Sequence, residues 1–428
     1  MTSIAEKPRA LSQVFGAVLL CRLLYPFFDS PLQHLFSDPA RHWANGAQFL
    51  HPSFMGAGDP LLYQLWIFLL RSLTGDSPPW IQLGSGVLCA AMPYGWYRAL
   101  RELLPRRQAL GGALVVALTP AFLGLYAYFM TETLLLTLTG FAFWMTLRAW
   151  RKGTLGSWTL CALAWTLAVF TRQVMLPVAA ACLGAVWLAH GQRLARTLIA
   201  AAAFALLAVP AGLHSRSQLG YFAPLGNSYI TQLYNLSGLH DIALDTGSGG
   251  QWFFGSPSYY NPTFYPFSDW TTSRQGTVEV SIDPAHGRAD WIAERTRVEA
   301  QSPMSTGRRL YENLLYLLFG QSWPDNDRGT IVGVAAIWNR WLVLPLLLYV
   351  AWGALRRKFT GPGWLLPVCA LGMFVLLELQ NTAIIEGRYR KPIEPILLAA
   401  AVLLFCNHRY TATPRHAHAA APTHDARA

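Results

Sequence analysis

Ten apolar runs alternate with short polar stretches along the chain, at residues 11–28, 80–100, 110–126, 131–147, 155–170, 174–190, 194–213, 331–355, 364–379 and 392–406. A helix needs about 17 to 25 mostly apolar residues to cross hydrocarbon. Among open-chain structures, only a helix satisfies its own backbone there. The pattern predicts an all-α integral membrane protein, a bundle of about ten transmembrane helices. Residues 37–63 interrupt it most sharply, because they follow the first run and set Asp38 and Asp59 beside a predicted membrane face. Charge kept beside a bilayer is a candidate for function by default.

Inside that stretch, residues 39–50 read as an amphipathic helix, with Trp43, Ala47 and Leu50 on one face and Arg41, Asn45 and Gln48 turned away. Such a helix lies along the membrane interface. Residues 61–73 are apolar but short for a span and end at TGDSPP. They predict a second juxtamembrane helix, with a re-entrant or spanning segment as the alternative.

Basic residues favour the cytoplasmic side of short loops. The groups Lys7/Arg9, Arg101/Arg106/Arg107, Arg148/Arg151/Lys152, Arg193/Arg196, Arg356/Arg357/Lys358 and Arg409/Arg415 fall at every second boundary. That alternation puts both termini inside and the remaining boundaries outside. It divides the chain into a membrane core at 1–213 with its first outer loop at 29–79, an outer segment at 214–330, C-terminal helices at 331–407 and a disordered tail at 408–428. The N-terminal run lacks a small-residue cleavage site, so an uncleaved first span is expected.

Composition agrees with a membrane protein: 53% of residues are hydrophobic and 13% charged, against roughly 25% charged in a soluble domain. The net charge of +11 comes in clusters between apolar runs, a topology signal and not a nucleic-acid footprint. All six cysteines lie in apolar stretches without CxxC spacing. Neither a disulfide framework nor a zinc site is indicated. The outer segment differs, with eight arginines against eleven acids for a formal charge of −3, and with nine aromatics in 251–270. A small periplasmic domain is expected there, its rings either at headgroup level or lining a sugar or lipid pocket.

Four polar sites converge on the predicted outer face: Asp38/Arg41/His42 with Asp59, Glu132, Arg172, and Glu386/Arg388/Tyr389/Arg390/Lys391. Gathered acids and arginines suit a reaction on a lipid phosphate. Guanidinium forks hold a phosphodiester and stabilise charge growing on it, and a carboxylate takes the proton of an alcohol acceptor. Simpler readings stand beside these. Asp38 before Pro39 and Asp59 before Pro60 fit helix caps, Glu132 fits a helix dipole, and Arg172, Arg388, Arg390 and Lys391 fit headgroup anchors. Arg22 and Arg340 are expected to snorkel.

The residues Asp38, Arg41, His42 and Trp43, then Pro52, then Asp59-Pro60-Leu61-Leu62-Tyr63, resemble the first outer loop of the GT-C superfamily of polytopic glycosyltransferases. The chain resembles in particular the protein O-mannosyltransferases and the lipid A aminoarabinose transferases. The resemblance covers the first two hundred residues and the last span. It implies a GT-C-like bundle with juxtamembrane helices and a polyprenyl-phosphate sugar donor, undecaprenyl phosphate in a bacterium. It further implies inversion in a single displacement, onto a periplasmic protein, lipopolysaccharide or cell-wall glycan.

By that resemblance Asp38 is the catalytic base, Asp59 and Glu132 assist, and Arg41, His42, Tyr63, Arg172, Arg388, Tyr389 and Arg390 bind substrate. Pro39 stands where a second acid is often found, and His42 stands for a more usual Tyr. A divalent metal is therefore not implied, although Asp59 and His42 could serve one. The implied location is the inner membrane, with the active site on its periplasmic face. The alternative from another class is a transporter or flippase of a lipid-linked sugar, whose key charges would lie near the midplane on broken helices.

Overall fold

The computed structural model describes residues 7–49, 59–219, 222–225, 240–245, 251–254, 275–281, 306–320, 339–379 and 387–411, with isolated positions between them. All ten apolar runs contain helix. The first is α1 (Lys7–Phe28), followed by α2 (Ser37–Ala47) and α3 (Leu61–Thr74) from the first loop. Next come α4 (Pro78–Leu103), α5 (Arg106–Leu118), the single turn α6 (Pro120–Leu123), α7 (Thr131–Lys152), α8 (Leu155–Thr171), α9 (Leu176–Ala189) and α10 (Arg193–Leu219). Within residues 214–330 lies α11 (Thr306–Phe319), and after them come α12 (Val343–Leu355), α13 (Leu365–Leu379) and α14 (Glu394–Thr411).

Among the described residues three stretches are long and apolar enough to cross a membrane: Arg9–Gln33, Arg193–Ser217 and Gly361–Leu379. Arg106–Leu118 and Pro120–Ala127 make a fourth if their 68° bend belongs to one broken span. The expected ten crossings therefore correspond to ten helical segments, of which three or four meet the length and hydropathy of a span. α8, α9, α12 and α14 fall short by length. Within the outer segment three strands join the helices: β1 (His240–Asp245), β2 (Gln251–Phe254) and β3 (Gln275–Ser281). Their order is β2-β1-β3, with β1 antiparallel to β2 and parallel to β3. The helical prediction thus lacked a small sheet. The aromatic run at 255–270 and the tail from 412 lie outside the described residues.

Small residues let the helices close on one another, the usual route where lipid tails are as apolar as the side chains. A Cβ on Gly140 of α7 would lie 3.0 Å from the Trp96 backbone nitrogen of α4, and one on Gly95 would lie 3.0 Å from the Phe141 nitrogen. A Cβ on Gly86 of α4 would overlap the Leu23 carbonyl oxygen of α1. Trp96, Phe143 and Trp165 then fill the centre, fully buried. The Trp165 indole donates to Thr146 Oγ1 at 2.7 Å.

A proline and a helix end leave two backbone carbonyls without helical donors. Pro93 lies inside α4 and has no N–H for the Cys89 carbonyl one turn back. The Ala117 carbonyl is one of the last four of α5, which have no partner within the helix. Arg22 of α1 serves both, its Nε donating to Cys89 O at 2.8 Å and its Nη1 to Ala117 O at 2.7 Å. The guanidinium also lies over the Tyr126 ring, 5.7 Å from its centroid. Arg22 is 2% exposed, so it does not snorkel: bared carbonyls hold it inside. Lys391 Nζ likewise donates to Ala121 O at 3.1 Å, past the bend.

Candidate active site

Asp38 sits in the first turn of α2, whose N-cap is Phe36 without a side-chain cap bond. Asp38 therefore is not the cap. One helical turn on, Arg41 shares its face, and Arg41 Nη1 lies 2.8 Å from Asp38 Oδ1. The same guanidinium reaches Asp59 with Nε to Oδ2 at 2.9 Å and Nη2 to Oδ1 at 3.0 Å. Asp59 does not cap α3 either, whose N-cap is Pro60. Its carboxylate points back to α2, where Asn45 Nδ2 donates to Oδ2 at 3.1 Å and His42 Nδ1 stands 3.5 Å away. Asn45 was expected to face outward and is buried, because Asp59 draws it in; Ala47, expected inward, is exposed.

α2 is fixed against its neighbours by apolar contacts as well. Gly46 has no room for a Cβ beside Ile67 of α3. Trp43 stacks on Phe129, with centroids 4.7 Å apart, and carries the Arg71 guanidinium 4.1 Å from its own centroid. The His42 ring meets the Tyr63 ring edge-on at 5.1 Å. Tyr63 in turn lies beside Thr133 of α7. First loop and α7 are thereby joined.

Glu132 follows on α7, 1% exposed. Thr131 Oγ1 donates to its Oε2 at 2.9 Å. Arg172, at the end of α8, donates Nη1 to Glu132 Oε1. Arg388 closes the arrangement from the 3-10 turn Gly387–Arg390, with Nη1 donating to Asp38 Oδ2 at 2.9 Å and Nε 3.5 Å from Glu132 Oε1. The sequence Asp59, Arg41, Asp38, Arg388, Glu132, Arg172 is one unbroken chain of ion pairs. It joins residues from α2, the start of α3, α7, α8 and the turn before α14.

The electrostatics follow from burial opposed by neighbours. Burial alone would raise the Asp38 carboxyl. Arg41, Arg388 and His42 overcome that and hold it well below the usual carboxylate range. Asp59 is likewise pushed up by burial and brought below its ordinary value by Arg41 and His42. Both are ionised at neutral pH. Asp38 keeps 16% of its side chain exposed and Arg172 20%, against 5% for Asp59 and 1% for Glu132. The accessible part of the chain is therefore at Asp38 and Arg172.

Other residues singled out from sequence lie apart from these pairs. Arg390 donates Nε to Glu394 Oε1 at 2.6 Å and Nη1 to the Gly320 carbonyl. It fastens the turn to the end of α11, where a Cβ on Gly387 would overlap that same carbonyl oxygen. Lys391 serves Ala121, and Tyr389 is half-buried against the core. Glu386 and Pro52 lie outside the described residues. Among the described residues no group of three or more His, Cys, Asp or Glu is disposed to hold a metal ion. Asp59 and His42 do converge, but Arg41 occupies both carboxylate oxygens.

Sequence reasoning missed two contributors. Asn45 is four residues from Arg41, a same-face spacing that signals its role. Asp29 also opens the first loop, accepting from Tyr25 Oη at 2.8 Å and holding His34 Nε2 at 2.7 Å. The His34 ring lies on Tyr128 with centroids 4.8 Å apart. The five-residue spacing of Asp29 and His34 carries no helical or strand signal.

No curated protein matches the chain. Residues 58–213, less than half of the chain but including Asp59, Glu132 and Arg172, match the family model of dolichyl-phosphate-mannose-protein mannosyltransferase, of the GT-C type, which supports a membrane glycosyltransferase.

Proposed function

We propose that the protein transfers a sugar from a polyprenyl phosphate, undecaprenyl phosphate in a bacterium, to a hydroxyl of a periplasmic protein or glycan, with inversion. The observation that carries this reading is the ion-pair chain itself. A carboxylate in partial contact with water is bridged by one arginine to the buried carboxylate that holds a second arginine. Asp38 accepts the acceptor's proton as the acceptor oxygen bonds to the anomeric carbon. The bond from that carbon to phosphate oxygen breaks with its electron pair, and the phosphate leaves with one more negative charge. Arg388 and Arg172 receive that charge, preorganised donors of the kind whose removal costs about 10²- to 10³-fold in rate.

Asp59 and Asn45 orient Arg41, and Glu132 orients the two phosphate-facing arginines. Arg390, engaged with Glu394 and Gly320, positions the turn that carries Arg388. The enzyme sits in the inner membrane with this face toward the periplasm and both termini in the cytoplasm. A transporter would share one feature, the broken span before Pro120. Two carbonyls there, of Ala117 and Ala121, are already served by Arg22 and Lys391, where a transport site would use open backbone.

The test is sugar transfer in membranes from a defined polyprenyl-phosphate sugar. Asp38→Asn is expected to fold and insert with transfer reduced at least about 10²-fold. Transfer at the wild-type rate would remove Asp38 as the base.

A further inference from the structure

The ion-pair chain contains three acids and three arginines, so its charges cancel, and each guanidinium already faces a carboxylate. A phosphodiester can therefore gain an arginine only by taking it from a carboxylate. The three arginines differ in what that would cost. Arg41 makes two parallel bonds to the buried Asp59 and a third to Asp38, and moving it would strand the buried Asp59 without a guanidinium. Arg172 is the cation nearest the fully buried Glu132. Arg388 is bonded to Asp38 at 2.9 Å and only approaches Glu132 at 3.5 Å. If it turns, Asp38 still keeps Arg41.

We propose that the lipid-phosphate donor is received by partner exchange at Arg388, whose Nη1 leaves Asp38 Oδ2 for a phosphate oxygen and so uncovers Asp38 as proton acceptor. This inference rests on the function proposed above. Donor binding then arms the base. Before the donor arrives, Asp38 has an arginine on each oxygen and holds protons poorly; afterwards one oxygen is released toward the acceptor. During transfer Asp38 becomes neutral by gaining the proton while the phosphate gains a negative charge. Arg388 thus ends the reaction beside the larger charge.

The exchange makes a prediction that ordinary roles do not: neutralising the proposed catalytic base should improve donor binding. The probe is sugar-free undecaprenyl phosphate, titrated into the full chain in nanodiscs of uncharged phosphatidylcholine. Arg388→Ala is expected to weaken binding about tenfold and Asp38→Asn to tighten it about tenfold, one charge-assisted hydrogen bond in each case. Asp38→Ser carries the same expectation should the asparagine variant not fold, as judged by elution profile and melting.

If wild type binds and Arg388→Ala weakens binding, but neutral variants at Asp38 bind no tighter than wild type, the exchange is overturned and the site assignment survives. If wild type does not bind the lipid phosphate, or Arg388→Ala binds it equally well, the phosphate site itself is wrong.

Discussion

Asp38 and Arg388 stand 350 positions apart in the chain and meet in a 2.9 Å hydrogen bond. Two separate supports make that meeting possible. α2 is held down by Trp43 between Phe129 and Arg71, and the turn Gly387–Arg390 is fastened to α11 through Arg390 and Gly320. Neither support contains a residue of the ion-pair chain. The site is thus a junction between two independently anchored pieces.

The bond has a consequence for pH. The fold favours ionised Asp38, so its contribution to stability is complete above the ordinary carboxylate value and is lost as pH falls through the lowered one. Asp59 shifts in the same direction. Melting temperature should be insensitive to these groups from neutrality to about pH 5 and should decline below about pH 4. Arg388→Gln removes one counter-charge from Asp38 and brings its folded-state value back toward the unfolded one, so less stability remains to be lost and the decline should be shallower. Superimposable melting profiles for the two proteins between pH 3 and 7 would mean that Arg388 does not hold Asp38 ionised.

The helices and the convergence of charge were legible in the sequence for physical reasons. Apolar periodicity locates helices, and alternating basic boundaries sort their ends, so Asp38, Glu132, Arg172 and Arg388 could be assigned to one face before any distance was known. Partner choice was not legible. Asp38 and Asp59 each precede a proline and look alike in sequence, yet Asp59 is sealed by Arg41 while Asp38 keeps contact with water. Arg388 and Arg390 are two residues apart and point to different partners, because a 3-10 turn of four residues separates their directions. Arg22 looked like a snorkelling residue because its partners, a carbonyl freed by Pro93 and one at the end of α5, leave no mark in its own neighbourhood. The strands within residues 214–330 are only four to seven residues long, so the alternation of Val278, Glu279 and Val280 in β3 is too short a signal beside the long helical runs.

Close helix approach at Gly86 sets a second expectation. A side chain there must push α1 away from α4, since the first atom it meets is backbone at Leu23. Gly86→Val should destabilise by about 1–3 kcal/mol through overpacking. Gly16 of α1 has open space around it, and Gly16→Ala should be neutral or stabilising, as Ala favours helix by about 1 kcal/mol. Melting in detergent distinguishes the pair. Equal effects at both positions would show that the α1–α4 contact is looser than the structure has it.

Arg41 is expected to matter more to folding than to donor binding. Arg41→Met leaves Asp59 buried with only Asn45 and His42 for company, and breaking a buried pair from one side costs about 3–5 kcal/mol. Asp59→Asn in the same chain removes the stranded charge and should restore part of the loss. The measurement is a double-mutant cycle on melting. Additive losses would mean that the two side chains are not paired in the membrane-embedded protein.

Arg22 and Pro93 give the most exacting test of the packing, because one is argued to exist on account of the other. Arg22→Met withdraws donors from the Cys89 and Ala117 carbonyls in a place that water does not reach, at about 1–3 kcal/mol for each group left unmade. Pro93→Ala puts back the N–H that α4 lacks, directed at the Cys89 carbonyl. In the wild-type chain that carbonyl is already served, so Pro93→Ala should change little. In the Arg22→Met chain it should recover stability, with a coupling of about 0.5–3 kcal/mol between the two sites. A Pro93→Ala effect of the same size in both backgrounds would show that the guanidinium is not standing in for the missing N–H. The buried arginine would then need another reason to be there.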